Sequence, residues 1–350
     1  MPARTDGSIS TCLYRSALSI PEAVITNMRR DPRSNILLST LEKYRIEEGR
    51  RIVLQADEFW IVCSTTRPTS KGGSRETLDF VLACTYGIIG KYPIFIYGTR
   101  LEQQLTEDYL EVRMRNIVRE LHNAGLNHRV YSIFAVDPVA RSFASHWTET
   151  TGINVVAGDP YYAAKFSYCT PSTLVPPPSP PQDHSYTINI RRAEETDILE
   201  VSDLCFGFAA DSPPFELSEQ RAIAEATQLV RKQQLWVLEV CSAHGSSIAC
   251  IVALTRTNAM VTAITKVYTP PRWRNLRFAF RLVRAVCDHL FNVEKKHFVV
   301  LYVGHGNPAA HVYNRVGFVG LDPRSNEQFK LVENWLELGF DRSRVELGQW

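Results

Sequence analysis

The sequence predicts an α/β protein of two lobes in which strands and amphipathic helices alternate. Two observations predict it. A strand–helix–strand–helix order occurs in each half of the chain, and TPSTLVPPPSPPQDHSY (170–186), with six prolines, separates the halves. Because proline favours extended conformations and cannot continue a sheet, we interpret this segment as a linker. The predicted domains are an N-terminal lobe, 1–169, the linker, 170–186, and a C-terminal domain, 187–350.

Bulk properties fit a soluble protein with two cores. The chain has 350 residues, of which 45% are apolar and 22% charged, with a formal net charge of +2. Nothing in this balance requires a nucleic acid or a membrane as partner. No apolar run reaches the roughly 20 residues that a spanning helix needs, and the N-terminus lacks a secretory signal pattern. We therefore expect a cytoplasmic protein, either a monomer or a homodimer.

Cysteine and histidine patterns give no reason to expect a metal site. The eight cysteines include no CxxC spacing, and several lie in apolar runs, so buried reduced thiols are expected. His305 and His311 are six positions apart, but further ligands at suitable spacing are missing.

The C-terminal half shows the clearer elements. YTINIRRA alternates like a half-buried strand, and EETDILEVSDLCFGFA has helical spacing. LWVLEVC, SIACIVALTR and MVTAITKVYT are predicted strands, followed by the helix FAFRLVRAVCDHLF and the strand HFVVLYVGH. PAAHVYNRVGF opens with proline at a helix start, and Gly317 suits the helix end. WLELGF and VELGQW look like closing strands.

The N-terminal half repeats part of this order. YPIFIYGT, TEDYLEVRMRNIVRELHNAG and RVYSIFAVDPVARSFASHW correspond to the strand, helix and strand–helix of the other half. Tyr97 and Pro138 are 41 positions apart, and Tyr268 and Pro308 are 40 apart. We interpret this as a divergent internal duplication. Two unrelated α/β units with the same rhythm remain the alternative. Residues 1 to about 35 show only weak periodicity.

Two motifs stand out in the C-terminal half, one in the loop residues 274–279 and one in residues 307–318. They resemble motifs of the GNAT superfamily of CoA-dependent acyltransferases. In that family, the loop after the fourth strand reads Gln/Arg-x-x-Gly-x-Gly/Ala, and here the register gives Arg274-Asn275-Leu276-Arg277-Phe278-Ala279. The second motif reads Asn307-Pro308-Ala309-Ala310, then Tyr313 and Gly317-Phe318. The whole chain is also similar to fungal GNAT proteins with an additional N-terminal half, through LDFVLACT, YPIFIY, PYYAAKFSYCT, AITKVYTPP and VELGQW.

The resemblance implies a tandem GNAT-like fold, an α/β (α+β) arrangement of mixed, mostly antiparallel sheets flanked by helices, whose middle strands splay apart. It implies acetyl-CoA as cofactor, with the pyrophosphate at a helix N-terminus and the pantetheine arm along the fourth strand. The implied CoA contacts are Ile264, Lys266, Val267, Arg272, Arg274, Asn275, Arg277, Phe278, Ala279, Asn307 and Ala310. The N-terminal lobe lacks an arginine–glycine loop after YPIFIYGT and is expected to be cofactor-free.

Arg277 departs from the family pattern, because glycine would permit a positive φ at this position and an arginine is not expected to. Three interpretations stay open. The side chain points to solvent while the amides still bind, it binds the phosphate itself, or it fills the pyrophosphate site and CoA binding is lost.

The catalytic residues implied are Tyr313, as the acid that protonates the leaving thiolate, and His305, as the base at a strand end. A core tyrosine and a solvated histidine are the plainer interpretations of these two. Asp211, Glu216 and Glu239 are further candidates for substrate binding or for the base.

The leading function is acetyl-CoA-dependent acetylation of a small-molecule amine. One alternative is a GNAT-fold enzyme that no longer uses CoA and acts as a cyclase, isomerase or lyase in natural-product biosynthesis. The other is a non-catalytic binding protein.

Overall fold

A computed structural model describes residues 7–52, 55–69, 72–87, 90–177, 186–211, 217–243, 245–325 and 327–348. In chain order, its strands and helices are β1 (Ser8–Tyr14), α1 (Glu22–Arg29), α2 (Asn35–Gly49), β2 (Phe59–Pro68), β3 (Ser74–Cys84), β4 (Ile94–Gly98), α3 (Glu107–Asn123), β5 (Ser132–Val136), α4 (Asp137–Thr151), β6 (Tyr162–Cys169), β7 (Tyr186–Arg192), α5 (Ile198–Ala210), α6 (Glu219–Arg231), β8 (Leu235–Ser242), β9 (Gly245–Ala253), β10 (Arg256–Thr257), β11 (Val261–Ala263), β12 (Lys266–Tyr268), α7 (Phe278–Asn292), β13 (Phe298–Gly304), α8 (Ala309–Val316) and β14 (Glu333–Gly339). The chain forms two compact units: unit 1 is Met1–Ala164 with Glu333–Trp350, and unit 2 is Lys165–Val332.

Unit 1 is built on strands in the order β1-β2-β3-β4-β5-β14. Only the β4–β5 pair among these is parallel. The first seven residues of β2 are all buried, as expected of a strand covered on both faces. Helix α3 begins where the Thr106 side chain accepts a hydrogen bond from the Tyr109 amide, and it buries Leu110, Met114 and Ile117 at helical spacing.

Unit 2 contains a four-stranded antiparallel sheet in the order β12-β9-β8-β7. A second set of strands, β13-β11-β10, includes the parallel pair β11–β13. Helix α7 packs its apolar stripe, Leu282, Val286 and Leu290, into the core of this unit. The predicted order of strand, helix, strand and helix is therefore confirmed as β12-α7-β13-α8.

The end of the chain departs from the prediction. Strand β14, which contains WLELG, pairs antiparallel with β5, from Trp335 opposite Val136 to Gly339 opposite Ser132. It therefore completes unit 1, whereas the sequence placed it as a closing strand of the C-terminal domain. Residues 345–348 of VELGQW form no strand, and 349–350 lie outside the described residues. Strand pairing between such distant segments leaves no local sequence signal.

The predicted linker is partly packed. The Val175 amide donates to the Val316 carbonyl at 3.0 Å. Arg284 Nε donates to the Val175 carbonyl at 3.2 Å, and Leu174 packs against the core of unit 2. Residues 170–177 are therefore part of unit 2, while 178–185 lie outside the described residues.

Six of the eight cysteines are buried, Cys12 is exposed and Cys241 is half-buried. Among the described residues, no helix combines the length and the apolar character that crossing a membrane requires.

Candidate functional site

The predicted strand MVTAITKVYT divides into two strands that join different sheets. Its first part, β11, pairs with β13, and the Ile264 amide donates to the Val300 carbonyl at 2.9 Å. One residue later, the Thr265 amide donates to the Ala253 carbonyl at 2.9 Å, and β12 continues along β9. Strand β12 is an edge strand of its sheet. The middle strands of unit 2 therefore diverge after Ile264, and one edge of β12 has no paired strand within the described residues.

The loop after β12 brings two left-handed residues to the start of α7. A 3-10 turn, Pro271–Trp273, is followed by Asn275 with φ 68° and Arg277 with φ 61°. Asparagine tolerates this conformation, whereas arginine adopts it at a cost of about 1–2 kcal/mol. The expectation that arginine could not supply the backbone freedom of glycine here is therefore wrong. Arg277 holds the left-handed conformation of a glycine.

The first turn of α7 has no side-chain cap at Arg277. The opening amides of a helix have no acceptors within it, and its dipole favours negative charge. A left-handed residue followed by a helical one, as at Arg277–Phe278, also turns successive N–H groups toward one concavity. This backbone fits an anion.

The three arginines of the loop differ in their contacts. Arg272 Nη2 donates to Ser247 Oγ at 3.0 Å. Arg274 donates to the Thr269 carbonyl and to Asp211, each at 3.0 Å. Arg277 is exposed and has neither an ion pair nor a side-chain hydrogen bond with another described residue. Its guanidinium is therefore free for a ligand, and it does not lie buried within the loop.

Tyr313 belongs to the core of unit 2. Its side chain is 8% exposed, and its ring lies edge-on to Phe318 at 5.8 Å between centroids. The same buried cluster contains Ile264, which lies between β11 and β12, and Phe278, the first residue of α7. His305 is exposed in the turn after β13.

Asn307 and Ala310 lie at the start of α8. Asn307 Oδ1 accepts a hydrogen bond from the Ala309 amide at 2.9 Å, and the Ala310 amide donates to the Asn307 carbonyl at 3.0 Å. Asn307 therefore orders the turn that leads into the helix.

Two of the three predicted carboxylates lie in the described part of the chain, and they have different partners. Asp211, at the end of α5, pairs with Arg274 and so joins the loop. Glu239, on β8, pairs with Arg191 at 3.2 Å. Burial raises the pKa of Glu239, but hydrogen bonds from Arg191 and its other neighbours outweigh this effect and lower the pKa overall. That pairing makes Glu239 a poor proton acceptor. Glu216 lies outside the described residues.

Sequence reasoning missed Glu225. This α6 residue contacts Lys266 at the start of β12, with Nζ 2.7 Å from Oε2. Its position beside the buried Ala222, Ala226 and Leu229 of an amphipathic helix was the available signal. A carboxylate on that flank requires a partner in the core.

Comparisons with known proteins bear on the family and the fold of the chain. Residues 196–318 match the family model described as "Acetyltransferase (GNAT) family". An X-ray structure of a Drosophila protein aligns with 95% of this chain and 98% of its own, at 12% identity and a TM-score of 0.55. A tandem GNAT protein from the clavulanic acid biosynthesis pathway aligns over the same shares, at 12% identity and a TM-score of 0.51.

A comparison with curated proteins gives no match. At 12% identity the two structural likenesses show the fold alone, which is the tandem GNAT fold predicted from the sequence. The match over 196–318 covers β12, the loop, α7 and α8, where the candidate site lies. Through residues 196–318, the chain is similar to the GNAT family of acetyltransferases.

Proposed function

We propose that unit 2 binds acetyl-CoA and transfers its acetyl group to an amine of a small molecule. The observation that carries the proposal is the division of the fourth strand at Ile264. It leaves one edge of β12 unpaired within the described residues, and the loop after β12 leads into the uncapped start of α7. Strained backbone conformations such as that of Arg277 are enriched at ligand sites, which agrees with the proposal.

The binding residues follow from this geometry. The amides at the start of α7 and the guanidinium of Arg277 would hold the pyrophosphate, since helix N-termini and arginine both favour phosphate. The free edge of β12 would pair with the amides of the pantetheine arm, as an added strand does. Arg272 and Arg274 would hold the loop through Ser247 and Asp211.

Bound acetyl-CoA supplies an activated acetyl thioester. Tyr313 would donate its hydroxyl proton to the departing sulfur, and its place in the core beside Ile264 and Phe278 would keep the ring in one orientation. His305 would take up the proton that the amine loses and pass it to solvent, because it is exposed. The Tyr313 phenolate would regain a proton from solvent before the next turnover.

Unit 1 is proposed not to hold CoA. Within the described residues, its β4 pairs with β5 at Ile94 and Phe95 and not beyond. Beyond that point, the buried guanidinium of Arg33 donates to the carbonyls of Arg100 and Thr99 at 3.1 and 3.2 Å. A side chain therefore occupies the end of β4 in unit 1, whereas the matching part of unit 2 presents an open strand edge.

The test of transfer is the release of free CoA thiol from acetyl-CoA in the presence of a panel of small amines. We expect amine-dependent thiol release, and we expect Tyr313→Phe to lower kcat by about 100-fold, within the usual range for general acids, with CoA affinity unchanged. Binding of acetyl-CoA without thiol release for any amine would refute transfer. An unchanged kcat in Tyr313→Phe would remove only the acid role.

A further inference from the structure

The edge strand β12 is held by few backbone bonds. It has three residues and, within the part of the chain that the structure describes, it pairs with β9 alone. Its side chains therefore decide where its free edge lies. Val267 packs against the core that contains α7. Tyr268 reaches the other side, where a Cβ on Gly207 of α5 would be 2.5 Å from its hydroxyl.

Lys266 also reaches that other side and ends at α6. Its ammonium is 2.9 and 2.7 Å from the two carboxylate oxygens of Glu225. The side chains are 9% and 12% exposed, and the ring of Phe208 lies 4.8 Å from the ammonium. A charge this deep is stable only with its partner, and removing one partner leaves the other charge buried without compensation.

The other acidic groups near this face are already engaged. Glu200 of α5 accepts from Ser247 Oγ at 2.7 Å and from the Ile248 amide at 2.8 Å. Asp211 pairs with Arg274. Glu225 is therefore the carboxylate on which the place of Lys266 depends within the described residues.

We propose that Lys266 and Glu225 are positioning residues that set the free edge of β12 and thereby the affinity for the CoA arm. This inference rests on the proposed function. Main-chain hydrogen bonds hold only over donor–acceptor distances of about 2.7–3.2 Å, so a small displacement of the edge is enough to lose them. The ion pair ties that edge to α6, and loss of the pair releases it.

Three variants of the full chain test the assignment. Glu225→Gln leaves the buried ammonium without a charged partner. The exchanged double variant Lys266→Glu with Glu225→Lys rebuilds the pair in reverse. The control is Glu294→Gln, which weakens the ion pair between Arg192 and Glu294, 2.8 Å long and in the same unit but away from β12. Each variant is measured for acetyl-CoA affinity by calorimetry and for amide hydrogen exchange at residues 266–268.

We expect Glu225→Gln to weaken acetyl-CoA binding by about tenfold or more, within the usual range of coupling energies, and to speed exchange in β12. The exchanged pair should return both readouts toward the original protein, and Glu294→Gln should change neither. A Glu225→Gln variant that keeps both its affinity and its slow exchange in β12 would overturn the positioning role. If the unchanged protein binds no acetyl-CoA, the proposed function fails, and hydrogen exchange alone then decides whether the pair fixes the strand.

Discussion

The guanidinium of Arg33 donates a 2.6 Å hydrogen bond to the carboxylate of Glu333, which lies 300 positions further along the chain. Both side chains are buried, at 2% and 1% exposure. Arg33 also pairs with Asp31, so one guanidinium serves two carboxylates. Burial raises the pKa of Glu333 to about 7, although Arg33 opposes this. Glu333 Oε2, which has no hydrogen-bond partner among the described residues, is then the natural place for the proton.

This pair makes the stability of the protein depend on pH. Because the pKa of Glu333 is raised on folding from 4.5 to about 7, the unfolded chain releases this proton at lower pH than the folded chain does. The free energy of unfolding should therefore fall as pH rises from 4.5 to 7, by about 3 kcal/mol from this group. Glu333→Gln mimics the protonated form and should lose this part of the pH dependence. Urea unfolding of both proteins across that range measures the difference, and parallel pH profiles would contradict the account.

Gly317 should not tolerate a side chain. It has φ 120°, and a Cβ there would lie 2.0 Å from the carbonyl oxygen of Thr173 in the packed part of the linker. Gly317→Ala should lower the free energy of unfolding by about 3 kcal/mol, because strain and a backbone clash add. Gly306→Ala is the matched control, since Gly306 has φ 77° and open space around its Cβ position. Gly306→Ala should lower the free energy of unfolding by only about 1 kcal/mol, because backbone strain is its sole cost. Equal losses in the two variants would argue against the packed linker.

Substitutions at Arg277 distinguish the effect of its backbone conformation on stability from the effect of its side chain on CoA affinity. Arg277→Gly removes the left-handed strain and should stabilise the fold by about 0.5–1 kcal/mol, after the greater freedom of glycine in the unfolded chain is counted. Arg277→Ala keeps the strain. Both variants lose the guanidinium and should bind acetyl-CoA about tenfold more weakly, whereas Arg277→Lys should retain most of the affinity. Tighter binding by Arg277→Gly would mean that the arginine obstructs the phosphate site.

The sequence predicted regular elements well where periodicity was strong. Helix α7 and strand β13 lie where their apolar patterns placed them. Strand β1, an edge strand with a half-exposed pattern, fell in the N-terminal stretch that showed little periodicity. The break at Thr265 could not be predicted, because both parts of MVTAITKVYT have strand-like composition and only their partners differ.

The site was predictable in part. The family motifs located the loop and α8. The left-handed backbone of Arg277 is unusual for an arginine, so it could be found only in the structure. The contacts of Lys266 with Glu225 and of Arg33 with Glu333 join residues 41 and 300 positions apart. No local sequence pattern identifies such pairs, although a charged residue on the buried flank of a helix indicates that a partner exists.

Calorimetric titration of the unchanged protein with acetyl-CoA tests the central claim, that the open edge of β12 and the start of α7 bind the cofactor. We predict saturable binding to one site, weakened by added salt because phosphate contacts contribute, with a gain in unfolding free energy of about 2.7 kcal/mol at 100 times the Kd. No binding heat and no stabilisation at millimolar acetyl-CoA would contradict it.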